Sequence, residues 1–149
     1  MRLEDEIKQA HFRNYRQKVF LNIVYSGNWL HAKQQEFFKP YGITGQQFNI
    51  LRILRGQHPK KISGIEIKSR MLDRNSDVSR LLDRLIAKKL VTKEPSEKDK
   101  RAADVGISDQ GLELLQVIDK KMESLDSLIN SLTEEEAKVL NQLLDKMRG

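Results

Sequence analysis

Arg80 and Arg84 stand one helical turn apart in a segment, residues 75–89, whose apolar side chains Val78, Leu81, Leu82 and Leu85 fall at i, i+3, i+4 and i+7. That stripe faces a core. The opposite face carries Ser76, Asp77, Ser79, Arg80, Asp83 and Arg84. Like charges one turn apart repel unless something offsets them. Phosphate oxygens or guanine edges would do so, and so would Asp77 and Asp83. Contact with nucleic acid and a solvated face with local ion pairs are both open readings of this helix. A second cationic group, Lys98, Asp99, Lys100 and Arg101, lies in a polar run between two alternating segments. A basic finger of this kind can lay an arginine into the minor groove, where narrow stretches are most negative. Asp99 would then bond Arg101 and fix its guanidinium. An ordinary hydrophilic hairpin loop is the plainer reading of the same four residues.

Other chemistries lack their residues. There is no cysteine, which removes disulfides, thiolate metal sites, thiol nucleophiles and thiol redox sensing together. His11, His31 and His58 form no metal-ligand spacing, and no histidine follows residue 58. No Ser/His/Asp set, glycine-rich phosphate loop or pair of catalytic carboxylates stands out. The chain therefore reads as a non-enzyme without metal or cofactor. The charge is uneven: residues 60–101 hold thirteen bases against seven acids, while residues 102–149 hold five against ten. A localised basic block within a net charge of +6 is the footprint of a polyanion binder, although a basic third also arises by chance.

The 149 residues suit one domain. No uninterrupted apolar run exceeds three residues, so no membrane span is expected. The first six residues lack the apolar stretch of a signal peptide, and a soluble, cytoplasmic protein is the expectation. Ile7, His11, Tyr15, Val19 and Ile23 recur at spacing four and predict one long amphipathic helix ending near Phe38. Thr44 with Gln47, Ser63 with Glu66, and Thr133 with Glu136 have the capping-box spacing. The second of these opens a short helix through Ile67, Met71 and Leu72. Asn75 or Ser76 caps the next. Residues 90–94 and 104–107 alternate and predict a β-hairpin. Leu114, Ile118, Met122, Leu125 and Ile129 predict another long helix. The order is four helices, a hairpin and two helices. The fold class is mainly α with a small β-hairpin wing: a winged helix-turn-helix with helical arms.

The segments Val78-Ser79-Arg80-Leu81-Leu82-Asp83-Arg84-Leu85, Lys89-Leu90-Val91, Asp99-Lys100-Arg101 and Ile107-Ser108-Asp109-Gln110-Gly111 resemble the signature of the MarR family of bacterial transcription regulators. The motifs cover about residues 62–111, and the order of elements extends the likeness along nearly the whole chain. The resemblance implies a single MarR-like domain over residues 1–149. Residues 44–107 would form the DNA-binding lobe, and residues 5–38 and 108–148 would form dimerisation helices. It implies a homodimeric regulator, a repressor released by a small phenolic or aromatic effector, that binds a pseudo-palindromic double-stranded DNA operator. Ser76, Ser79, Arg80 and Arg84 would face DNA from the recognition helix, residues 75–89. Arg101 would be the wing arginine, oriented by Asp99 and flanked by Lys98 and Lys100, and Asp77 belongs to the same surface. A protein-interaction module without DNA binding is the alternative, but it would need an apolar recognition helix.

Three positions depart from the family pattern. Lys89 stands where a glycine is usual before Leu90-Val91, Leu72 where a glycine is usual in the helix–helix turn, and Lys68 where an alanine is usual. Glycine favours a left-handed helix end, so Lys89 predicts either a different turn or a small strain. Trp29, Phe37 and Phe38 are candidates to border an effector pocket, although packing in a helix core is the better reading of them.

Overall fold

The computed structural model describes residues 1–149. Its core is one cluster of 19 buried apolar side chains, all lying between Phe38 and Ile118 in sequence. The element order is α1 (Leu3–Glu6), α2 (Tyr15–Phe38), a 3-10 turn (Lys39–Tyr41), α3 (Gly45–Gln57), β1 (Ile62–Ser63), α4 (Gly64–Arg70), α5 (Val78–Ala87), β2 (Val91–Pro95), β3 (Ala103–Ile107), α6 (Asp109–Asp119), α7 (Glu123–Asp126), a second 3-10 turn (Ser127–Ile129) and α8 (Glu134–Arg148). The strands form an antiparallel sheet in the order β1-β3-β2, with Val91 opposite Ile107 and Pro95 opposite Ala103. This is the winged helix-turn-helix read from the sequence, with β1 added. Two residues are too short to show an alternating pattern, so β1 is recognisable only from its pairing of Ile62 with Val105.

Caps decide where several helices begin. Thr44 and Gln47 satisfy each other's backbone N–H groups, as do Thr133 and Glu136. At Ser63 only the forward bond forms, from the Glu66 N–H to the hydroxyl at 3.2 Å. Helix α4 stops at Arg70, short of the expected Met71 and Leu72, and Leu72 is exposed.

The two long helices expected from spacing are both broken. Lys8 adopts a left-handed φ of +52° and ends α1. Asn14 then starts α2 by accepting the Gln17 N–H at 2.9 Å, while the Gln17 side chain accepts the Arg13 N–H. Helix α1 lies back on α2, held by a Glu4–Lys18 ion pair and by the Tyr25 hydroxyl donating to Glu6 at 2.6 Å. The Lys18 ammonium holds the Glu4 carboxyl down to about 2, and the Glu6 carboxylate raises the Tyr25 phenol. In the second case α6 ends at Asp119, where Lys121 and Met122 switch to bonds three residues back. No glycine or proline marks that break.

The exit from α5 keeps the glycine-type turn with a lysine in it. Lys89 sits at φ +61°. The Leu90 N–H reaches the Leu85 carbonyl and the Lys89 N–H reaches the Ile86 carbonyl, the paired bonds of a Schellman motif. Leu85 and Leu90 are both buried, which supplies the motif's apolar contact. The Leu90 carbonyl also explains Gly111: a Cβ there would lie 2.3 Å from that oxygen, so only glycine lets the start of α6 approach. Ser108 caps α6 through the Gly111 N–H and donates its hydroxyl to the Lys89 carbonyl at 2.7 Å.

Candidate nucleic-acid interface

Helix α5 buries Val78, Leu81, Leu82 and Leu85 and exposes Ser79, Arg80, Asp83 and Arg84. Its cap is Asp77, which accepts the Arg80 N–H at 3.2 Å, and not Asn75 or Ser76 as expected. The reason lies in Ser76. It is only 3% exposed, and its hydroxyl donates to the Asp73 carbonyl at 2.8 Å. Ser76 is therefore largely buried, at the floor of a groove between α4, α5 and the wing and not on an exposed helix face, and the recognition helix begins later, at Val78.

The wing turns at 96–102. The Ser96 hydroxyl accepts the Lys98 and Asp99 N–H groups, and the Ala102 N–H reaches the Asp99 carbonyl at 3.0 Å. The Asp99 carboxylate accepts the backbone N–H of Arg101 at 2.9 Å. The acid thus shapes the loop that presents Arg101, where a bond to its guanidinium was expected. This answers why an acid sits among cations: an aspartate bonding two residues on stabilises a tight turn.

A groove of about 580 Å³ gathers the start of α4, the start of α5 and the base of the wing, with Lys68, Asn75, Asp77, Ser79 and Arg101 on its walls. Arg84 lines a different groove with Lys39 and Lys88. Arg80, Lys98 and Lys100 are exposed. None of Arg80, Arg84, Lys98, Lys100 and Arg101 takes part in an ion pair, although seven such pairs occur elsewhere. The local pairing left open by the sequence is therefore not made: Asp77 is used on the backbone, and Asp83 binds no cation. Exposed, uncompensated cations are what phosphate contact requires, and they stand at both ends of the helix: Arg101 on the groove at the start of α5 and Arg84 in its last turn.

The chain's relatives can be set beside this geometry. The family model described as MarR family matches residues 41–102. The transcriptional regulator MgrA of Staphylococcus aureus is 31% identical over 110 residues, covering 74% of this chain and 73% of that protein. The chain belongs to the MarR family. A further relative, the transcriptional regulator PecS of Dickeya dadantii, is 29% identical over 112 residues, covering 74% of this chain and 68% of that one. Among solved structures, a mutant MarR from E. coli complexed with operator DNA superposes with a TM-score of 0.80 at 25% identity, covering 93% of this chain and 99% of that one. Family members are transcription regulators and not enzymes.

The effector candidates separate. Phe38 is buried, edge-on to Phe37 at 4.9 Å and stacked on Phe48 at 4.6 Å, so it belongs to the core. Trp29 borders a small pocket of about 110 Å³ with Leu3 and Tyr25 under α1. Lys68 lies on the groove wall and was not among the expected contacts; its signal was a cation where a small residue is usual. No helix is long and apolar enough to cross a membrane.

Proposed function

We propose that this MarR-family regulator acts as a homodimeric repressor that reads a pseudo-palindromic operator with α5 and grips flanking DNA with its wing. The observation that carries the reading is the set of unpaired cations on α5 and the wing. Phosphates would supply most of the affinity, through Lys68, Arg80, Arg84, Lys98, Lys100 and Arg101. Base edges met by Ser79 and Arg80 at the start of α5, and by Arg84 in its last turn, would supply most of the specificity. Two-fold symmetry would set the recognition helices about 34–36 Å apart, on successive major grooves. Asp77 and Asp99 serve by shaping backbone, and the buried Ser76 by holding the turn before α5.

Dimerisation is supported by apolar side chains that the protomer leaves in water: Val19, Phe20 and Val24 on α2, and Val139, Leu140, Leu143 and Met147 on α8. Release by a small aromatic effector would act through two contacts that tie the lobe to the segments flanking it. Arg55 of α3 forms a two-pronged pair with Asp119 of α6 at 2.7 and 3.3 Å, and the Lys88 ammonium bonds the Gly42 carbonyl. A ligand that favours one arm arrangement would move α5 and shift affinity by its differential binding. Acting on chromosomal DNA, the protein would work in the cytoplasm. The test is a gel-shift titration with a duplex recovered by the wild-type protein from random-sequence DNA. Arg101→Ala is expected to bind about ten-fold more weakly while remaining dimeric, as loss of a charged hydrogen bond implies. Undiminished binding would remove the wing from the interface.

A further inference from the structure

We infer that Gln46 of α3 is a positioning residue for DNA reading: through Asp73 it sets where the recognition helix begins. The inference rests on the role proposed above for α5. Seven residues, 71–77, separate α4 from α5, where a helix-turn-helix commonly uses three or four. A longer connection has more conformations to lose, so it needs contacts from outside itself to hold one. They come from α3. The Gln46 amide donates to the Asp73 carboxylate at 3.1 Å and to the Ser76 hydroxyl at 3.4 Å. One turn along the same helix, Asn49 accepts the Leu72 N–H at 2.8 Å. Asn49 is 5% exposed and its own NH₂ group has no partner, so it holds Leu72 at the expense of an unmet donor.

Asp73 is the hub. One carboxylate oxygen accepts from Gln46 and the other accepts the Asn75 N–H at 2.9 Å, while its carbonyl receives both the Ser76 N–H and the Ser76 hydroxyl. The residues fixed in this way lead directly into Asp77 and Val78, the cap and first residue of α5. Gln46 itself is absent from the walls of the groove that holds Ser79 and Arg101. Its amide reaches Asp73 and Ser76, and through them it bears on the start of α5.

The donor and acceptor can be exchanged, which makes the idea testable. With Gln46→Glu alone, two carboxylates face each other. With Gln46→Glu and Asp73→Asn together, the asparagine amide donates to the glutamate while its oxygen still accepts the Asn75 N–H, and the net charge is unchanged. Affinity is measured on the duplex recovered by the wild-type protein from random-sequence DNA. Gln46→Ala should bind about five-fold more weakly, the loss of one net hydrogen bond. Gln46→Glu should be weaker still, and the double variant, which restores the bond between positions 46 and 73 but not the 3.4 Å bond to the Ser76 hydroxyl, should recover most of that loss, the signature of a coupled pair. Amide exchange at 75–79 should quicken in Gln46→Ala while that of α3 does not. A double variant as weak as Gln46→Glu, or unchanged exchange at 75–79, overturns the inference. Wild-type protein that selects no duplex would instead overturn the role of α5.

Discussion

The lobe and the helices beside it treat their apolar residues in opposite ways. From Ile43 to Ile118 the large apolar side chains mostly point inward, and Ile50, Leu51, Ile67, Leu85, Leu115 and Ile118 have no exposed surface. Along α2 and α8 they face water: α8 buries none of its residues, and the 24-residue α2 buries only Phe38, at its junction with the lobe. Water exclusion stabilises apolar groups wherever it occurs, so the lobe holds itself together, whereas the arms present a surface that a second copy would cover. Charge does not follow the same division: exposed cations without ion pairs occur in the lobe, at Arg80, Arg84, Lys98, Lys100 and Arg101, and also outside it, at Arg13, Arg16, Lys120 and Lys121, while the acidic excess lies in residues 102–149.

Paired substitutions would break this contrast if it is wrong. Leu85→Ala removes a fully buried side chain from the lobe and should lower stability by about 2–5 kcal/mol at any protein concentration. Leu143→Ala, at a position 58% exposed, should leave the folded protomer intact but make the melting temperature depend more steeply on concentration. Chemical denaturation across a hundred-fold range of concentration separates the two. Equal, concentration-independent losses would mean that the arms have no partner to cover them.

A smaller effect sharpens the reading of the lobe. Lys89 occupies a left-handed position at the exit of α5, so Lys89→Gly should raise stability by about 0.5–1 kcal/mol, measured by the same denaturation. A loss would mean that the lysine side chain matters more than its backbone.

The smallest effect belongs to the arms. Lys18 holds Glu4 down to about 2, below its ordinary value of 4.5. A depressed carboxyl stabilises the fold fully above its unfolded value, and that contribution fades as pH falls through the folded one. Docking of α1 on α2 should therefore weaken between about pH 4.5 and 2. Backbone NMR signals of Leu3–Glu6 should shift in that window before those of Leu85 do. Signals that stay fixed to pH 2 would remove the Glu4–Lys18 pair as the clasp.

How much of this was readable from the residues depended on how local the cause was. Caps act over three residues, and Thr44, Ser63 and Thr133 announce their helices. The exposure of Arg80, Arg84, Lys98, Lys100 and Arg101 was legible because they lie opposite an apolar stripe or in a polar turn. The helix breaks were not. Ile7, His11 and Tyr15 keep a spacing of four across a chain that reverses at Lys8 and restarts at Asn14, so periodicity alone joined what the backbone divides. The signal available was Asn14 followed by Gln17. Ser76 was misplaced because helical facing has no meaning in the irregular turn before α5. The Gln46–Asp73 bond spans 27 positions, and no local pattern announces a contact of that range.

In the proposed function, the exposed cations of α5 and the wing neutralise DNA phosphates. Its most direct test is the salt dependence of binding to the selected duplex, for wild type and for the Arg80→Ala, Arg84→Ala, Arg101→Ala triple variant. A steep wild-type fall in affinity is expected, with a log–log slope near −0.9 for each phosphate neutralised, and a markedly shallower slope for the variant. A wild-type slope near zero, or one that the three substitutions leave unchanged, would contradict it.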